Sequence, residues 1–402
     1  MRFHVVGLGA VGTLITNHLR QSLPEGHSVS LIHKNVNRAR QALWHNAVTL
    51  EEDGLPVVMR NFPHGTAEVD IVSATAKLPN TTSDSRYIES LFVTLKAHHT
   101  LPAIRRIATR LSPNSTIVLL QNGMGVYERL VQEIFINPKQ RPHFILASNT
   151  HGAYSRGFLD VVHTGRGEIQ FGIVPDLEGR DYEASFRDPS KSLEERRGNF
   201  MDITQSEELD PMFARYRSLR NTVAALQLMQ ALNPTWLTMD ELQIILRRKL
   251  TVNAVINPLT ALIGCKNGDV FQTTAARSLL SRICKEASDA FKAELVAEAQ
   301  DFMNTVDTET SEDVLLDRIP EALTRESLMQ ECLRVASATK NNISSMLADI
   351  RSGTSSGTEI NFINGHLISL GHMYNVQMPV NTTLAHLIRM RSGFVSGGDS
   401  VL

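Results

Sequence analysis

Lys249, Asn253 and Asn257 interrupt an otherwise apolar run, RRKLTVNAVINPLTAL at residues 247–262, at four-residue intervals. On an α-helix each four-residue step turns about 40° around the axis, so the three side chains form one narrow polar stripe. A solvated helix edge shows the same pattern. The other reading is a ligand site: of the three, only Lys249 can donate a proton to a developing alkoxide, while both Asn amides donate and accept. Such a set suits a hydroxylated carbonyl substrate. Nearer the C-terminus, NNISSMLADIRSGTSSGTEINFINGH adds Asn342, Ser345 and Glu359 within or beside apolar helices. Taken singly, Ser345 reads as a helix residue bonded to its own backbone, and Glu359 as a charge at a helix N-terminus after Thr358.

Carbonyl reduction needs a hydride donor, and the N-terminal residues offer a place for one. In GLGAVG (Gly7, Leu8, Gly9, Ala10, Val11, Gly12) the three glycines are spaced G-x-G-x-x-G, with the strand-like RFHVV before them and an apolar helix after. Gly7 permits a tight turn, Gly9 lets a pyrophosphate approach the backbone, and Gly12 allows close helix packing, while the helix N-terminus presents unpaired N–H groups. An NAD-binding unit would place an acidic residue about 20 residues further on, for the ribose hydroxyls. His33 and Lys34 occupy that place, so a 2′-phosphate and hence NADPH are expected, with Lys34 the better candidate. Lys96 in TLKAHHT and Asn122 in LLQNGMG fall at the ends of two later strand candidates, where open α/β sheets bind ligands. Each has an equally good bland reading, as a solvated loop lysine and as an Asn-Gly turn.

The elements that must position these groups follow a simple order. Residues 1–34 read strand, glycine turn, amphipathic helix, strand. Further strand candidates end at Lys96, Gln121 and Asn149 and alternate with helical stretches, which predicts a parallel, doubly wound sheet of the Rossmann type. Residues 157–173 read as a β-hairpin closing that domain, with Gly165 and Gly167 near its turn. Residues 175–211 are polar, heavily charged and without apolar periodicity, and are expected as a surface insertion. From about Met212 helical patterns dominate, over residues 239–257, 275–304 and 325–351. A second acidic break, TVDTETSED, reads as a loop followed by a helix capped by Ser311 or Thr310. The expected division is a cofactor domain over residues 1–235 and a mostly α-helical substrate domain over residues 236–402.

Composition sets outer limits. A net charge of −2 over 402 residues supplies no general attraction for nucleic acid or anionic membranes, which leaves a small-molecule partner. Three cysteines without a CxxC pair suggest neither disulfides nor structural zinc, and the His98–His99 pair is adjacent rather than spaced to share a ligand, so no metal is expected. No run approaches the roughly 18 to 20 apolar residues of a membrane span, and a strand candidate directly after Met1 leaves no room for a signal peptide. Cytoplasm is the expected location, and a homodimer seam on the helical domain stays open.

The chain resembles the ketopantoate reductase (2-dehydropantoate 2-reductase) family through GLGAVG, LKAHHT, QNGMG, RRKLTVNAVINPLTALIGCKNGDV and SSMLADIRSGTSSGTEINFING. The resemblance spans nearly the whole chain, and its longest motif, around Lys249, is more diagnostic than the glycine loop. It implies a Rossmann-type domain followed by a helical domain like the C-terminal domain of 6-phosphogluconate dehydrogenase. It also implies reduction of ketopantoate, a 2-oxo acid, to D-pantoate by NADPH, in pantothenate and coenzyme A synthesis. Carried over by motif, Lys249 is the general acid and Glu359 accepts a hydrogen bond from the substrate hydroxyl and orients the site. Asn253 and Asn257 fix the substrate, Ser345 and Asn342 its carboxylate; Asn122 lies between substrate and nicotinamide, and Lys96 contacts the cofactor. Asn267 matches a polar position without an assigned role. Three departures stand out: the charged insertion with the acidic break, a Ser345–Glu359 interval two residues longer than in compact bacterial-type members, and Lys34 where those members often carry Arg. A paralogous NADPH-dependent reductase of another 2-oxo acid or carbonyl compound and a non-catalytic NADPH-binding sensor are the competing readings.

Overall fold

The structure, a computed structural model, describes residues 1–68, 70–71, 87–305, 320–353 and 358–396. The helix start expected at Thr310 or Ser311 lies outside them. The chain forms two compact units, Met1–Gln121 with Val126–Leu242, and Asn122–Gly125 with Gln243–Leu402. The division falls seven residues beyond the expected 235. A strand at Pro234–Trp236 pairs into the sheet of the first unit, and Met239 and Leu242 pack on Gly172 of that sheet.

In the first unit β1 (Arg2–Val6), α1 (Ala10–Ser22) and β2 (Ser28–Ile32) form the opening βαβ, followed by α2 (Val36–His45), β3 (Val48–Glu52), β4 (Leu55–Met59), β5 (His64–Gly65) and β6 (Asp70–Ile71). Next come β7 (Ser90–Val93), α3 (Ala97–Ile107), β8 (Thr116–Leu119), α4 (Val126–Glu133) and β9 (His143–Asn149). Among the described residues the main sheet has the order β13-β12-β9-β8-β7-β1-β2-β5-β6, with β12 at Ile169–Ile173 and β13 at Pro234–Trp236. From β9 to β5 all neighbours are parallel, and β12 and β6 are antiparallel additions at either side. Central strands buried on both faces read as continuous apolar runs, as Leu91, Phe92 and Val93 do, each with no exposure.

The hairpin expected within residues 157–173 lies one strand earlier. β10 (Gly152–Gly157) turns through Phe158 and Leu159 into β11 (Asp160–Gly165), whereas β12 leaves to join β9. β11 pairs in parallel with β3, giving a second sheet of order β10-β11-β3-β4 that the linear pattern does not announce. Asn17 of α1 ties that sheet down by donating to the carbonyl oxygens of Val48 and Val57.

Residues 175–211, expected as a surface insertion without a buried face, are anchored in the core of the first unit. Tyr182 and Ile203 are buried, and Arg180 lies 3.9 Å above the Tyr216 ring while it pairs with Asp210 at 2.6 Å. Tyr182 and Tyr216 both donate to Asp176. Single anchors of this kind leave no periodicity to read.

After α5 (Phe200–Ile203) and α6 (Phe213–Leu228) of the first unit, the second unit is helical: α7 (Met239–Ile263, begun in the first unit), α8 (Thr274–Thr305), α9 (Arg325–Ala338), α10 (Ser345–Arg351), α11 (Asn364–Met373) and α12 (Pro379–Ser396). The helix expected over 325–351 is two helices, because Thr339 to Ser344 turn the chain and Ser344 caps a new start by accepting from Leu347 N–H.

Candidate active site

Backbone builds the cofactor end of the first unit. Gly7 has φ +99°, and a Cβ there would lie 2.5 Å from Leu95 N; one on Gly12 would lie 2.1 Å from Gly7 O. Both positions therefore exclude any side chain, and the Thr94 hydroxyl locks the turn by donating to Gly7 O at 2.7 Å. Gly9 is different: it is exposed, and a Cβ would meet nothing within 4 Å. It caps α1 without a side-chain hydrogen bond, so the first-turn N–H groups face outward, as a pyrophosphate requires.

Beside this turn lies a cavity of about 610 Å³ whose lining includes Gly7, Leu8, His33, Lys34, Arg38 and Arg106 and, among the described residues, no carboxylate. Burial holds His33 at about 4, and it shares a hydrogen bond with His64, so it adds no positive charge. Arg106 is committed to Glu68 at 2.6 Å. Lys34, exposed and without an ion-pair partner among the described residues, and Arg38, one turn into α2, are the cations left for an anion. Sequence reading missed Arg38; its signal was the spacing K-x-x-x-R across the start of a helix. The Arg38 guanidinium lies 5.2 Å above the Phe158 ring, a platform from the second sheet. Lys96 caps α3 but does not line the cavity, whereas its neighbours Leu95 and His99 do. Ala10, Val11 and Gly12 lie in the first turn of α1, behind Gly9.

In the second unit α7 carries the polar stripe as its spacing predicts. Leu250, Ala254, Val255 and Leu259, which alternate with it along the helix, are buried. Pro258 lacks an N–H, so Ala254 O would have no helical partner; the buried Asn364 amide donates to it at 3.0 Å. Asn364 is held by Asn381, which in turn donates to Glu286. The Asn-Pro step of the motif is thus supported by a buried amide relay. The arginines beside Lys249 face other partners, Arg247 meeting Glu294 at 3.0 Å and Arg248 meeting Glu331 at 3.2 Å.

Lys249 is partly buried, and desolvation pushes its ammonium from 10.5 down to about 8 against the opposing pull of the Glu359 carboxylate. The charged form is thereby penalised by about 3 kcal/mol, enough to turn a permanent cation into a proton donor near neutrality. Glu359 starts a short 3-10 turn, Glu359–Phe362, and is buried. Neither the Asn253 nor the Asn257 amide has a hydrogen-bond partner among the described residues, although Asn257 is only 7% exposed. Thr260, one position past the stripe, donates to the Ser344 hydroxyl at 2.8 Å, which brings exposed Ser345 to the end of α7. Among the described residues the Ser345 hydroxyl makes no backbone bond, whereas that of its neighbour Ser344 accepts from Leu347 N–H. Asn342 is exposed in the turn before α10, and its backbone oxygen accepts from Asn267 N–H. No described contact joins it to the stripe. Asn267 is a brace for that turn, donating its amide to Thr339.

The loop carrying Asn122 belongs to the second unit. Met124 N–H bonds Phe362 O, three residues beyond Glu359. Gly123 has φ +87°, and a Cβ there would fall 2.5 Å from Phe362 O, so QNGMG needs its glycine for close approach. Asn122 is in this way tied to the same turn as Glu359.

Residues 3–176 match the family model described as ketopantoate reductase PanE/ApbA, and residues 241–392 match its C-terminal counterpart. The 2-dehydropantoate 2-reductase of Escherichia coli O157:H7 is 28% identical over 301 residues, covering 75% of this chain and 73% of the relative. That of Vibrio cholerae serotype O1 is 26% identical over 391 residues, covering 97% of each. Among solved structures, D-mandelate dehydrogenase with NADH and anilino(oxo)acetate has the same fold, with a TM-score of 0.67 at 17% identity over 98% of this chain and 99% of that one. With both units matched and the motif residues in place on α7, the chain belongs to the ketopantoate reductase family.

Proposed function

We propose that this protein reduces 2-dehydropantoate to pantoate with NADPH. When bound, the dinucleotide supplies a hydride to the C2 carbon of the substrate; the chain supplies the rest. The glycine turn and the open N-terminus of α1 hold the pyrophosphate, while Lys34 and Arg38 take the 2′-phosphate, Lys34 as a point charge and Arg38 as a fork. As negative charge grows on the C2 oxygen, the Lys249 ammonium stabilises it and releases its proton to it. Glu359 orients Lys249 and accepts from the substrate's hydroxyl. Asn253 and Asn257 bond the substrate with amides that have no other partner among the described residues, and Ser345 supports its carboxylate. A 2-oxo acid substrate and a cytoplasmic setting belong to this reading. The three unbridged cysteines support the latter, and among the described residues no helix is long and apolar enough to cross a membrane.

The observation that carries the reading is Lys249 set with the buried Glu359 and in line, on one helix, with two amides that have no hydrogen-bond partner among the described residues. The test is the loss of NADPH absorbance with purified protein and 2-dehydropantoate, run beside other 2-oxo acids. Turnover of 2-dehydropantoate ahead of the others supports it. Absence of turnover while NADPH binds overturns the catalytic reading, and preference for a different 2-oxo acid overturns the substrate.

A further inference from the structure

Away from the cofactor cavity, three side chains from separate elements of the first unit converge: His18 of α1, Glu52 of β3 and His163 of β11, with ligand atoms all within 4.8 Å of one another. Nδ1 of His163 lies 2.7 Å from Glu52 Oε1, and Nε2 of His18 lies 3.3 Å from the same oxygen. The histidine side chains are 3% and 4% exposed and that of Glu52 29%, so the cluster is walled in by its imidazoles and reached by water from the carboxylate side.

The hydrogen bonds around the cluster say what lies inside it. His151 Nε2 faces the Leu232 carbonyl at 3.0 Å and can only donate there, while its Nδ1 accepts from Gly167 N–H at 3.1 Å. His163 Nε2 meets that same Nδ1 at 3.0 Å, so Nε2 of His163 carries a hydrogen. With its hydrogen on Nε2, His163 turns Nδ1 toward a carboxylate oxygen at 2.7 Å. Two lone pairs at that distance repel, so a cation is shared between them, either a proton or a metal ion.

His18 separates the two. Its buried Nε2, for all its closeness to Glu52, lacks hydrogen-bond geometry to any partner among the described residues. A proton between His163 and Glu52 engages those two groups and leaves His18 Nε2 only the 3.3 Å approach to Glu52, whereas a metal ion uses all three groups. We propose that His18 Nε2, Glu52 Oε1 and His163 Nδ1 hold a divalent ion of the zinc type, with a fourth position open to water. Two imidazoles and one carboxylate favour zinc over the oxygen-seeking magnesium and calcium. The His163 to His151 bond is the outer hydrogen bond that a metal-bound imidazole needs to fix its tautomer. The ion would clamp the second sheet onto α1, the helix whose other end presents the glycine turn. The expectation of no metal considered adjacent histidines; positions 18, 52 and 163 have no common spacing to reveal them.

The test uses full-length protein stripped with a chelator, then titrated with zinc chloride against a chromophoric competitor and with cobalt as a spectroscopic probe. One ion per chain is expected, with a four-coordinate cobalt spectrum and zinc affinity about 100-fold weaker in Glu52→Gln and in His163→Gln. The unfolding midpoint of the wild type rises with added zinc and that of Glu52→Gln does not. Glu52→Gln keeps the side chain's shape at a partly exposed position, and circular dichroism reports whether it is folded. Failure of the wild type to bind zinc, or equal binding by Glu52→Gln, overturns the site and assigns the shared cation to a proton.

Discussion

Lys34 and Lys249 are the same side chain put to opposite uses. Lys34 is exposed beside a cavity lined, among the described residues, by two arginines and no carboxylate, where a charge kept in water attracts an anion. Lys249 sits on the one polar stripe of an apolar helix, and burial pushes it down to about 8 while Glu359 keeps it from falling further. Desolvation is what separates a binding lysine from an acid: the first unit positions charge, and the second prepares a proton for transfer. Their supports differ in the same way. Gly7 and Gly12 hold the first site by having no side chain, whereas Asn364 holds the second by having a buried one.

The comparison breaks most sharply at Lys249. Lys249→Ala is expected to lower kcat about 1,000-fold with NADPH affinity unchanged, as measured by absorbance kinetics and fluorescence titration. Lys249→Arg is the sharper variant, because it keeps positive charge but has no proton to give near neutrality. Near-wild-type activity in Lys249→Arg would reduce Lys249 to an electrostatic anchor like Lys34.

Removing the binding cations should cost less and in a different parameter. Lys34→Ala with Arg38→Ala is expected to weaken NADPH about 100-fold, from roughly 1.5 kcal/mol for each charge-assisted contact, and to leave NADH nearly unchanged. An equal loss for both cofactors would place these cations on the pyrophosphate rather than on the 2′-phosphate.

The supports come next. Asn364→Ala strands both Ala254 O and the partner amide of Asn381, and is expected to destabilise the protein by about 2 kcal/mol, read from denaturant midpoints. Activity of the folded fraction should fall with it, since the stripe on α7 spans Ala254. A variant with wild-type stability would mean that the Pro258 gap is met in some other way.

What the sequence disclosed and what it hid follow from range. The glycine turn, the parallel strands and the α7 stripe are carried by neighbours a few residues apart, so period and spacing display them. The second sheet joins β3 to β11 across more than a hundred positions, and its short strands give no warning. Residues 175–211 were misjudged because they bury isolated anchors, Tyr182 and Ile203, rather than a face. Arg38 does not stand out in the sequence, since only the fold turns the first turn of α2 toward the cavity. Asn342 went the other way: its motif suggested the substrate, and the fold leaves it exposed beside a brace formed with Asn267.

The smallest effect is the one that tests how Lys249 is tuned. A general acid works only while it holds its proton, so kcat/KM should be flat below about 8 and fall as pH rises through it. The direction is set by Lys249 being lowered from its ordinary value, which moves the alkaline limb down into the range where it is measurable. Glu359 acts against burial by favouring the charged form, so Glu359→Gln leaves desolvation unopposed and moves the limb to lower pH. Lys34→Ala should not move it, because that lysine gives up no proton in the reaction. A limb that stays in place in Glu359→Gln, or one that follows Lys34, would mean that burial alone sets the acid and that the distinction between the two lysines is wrongly drawn.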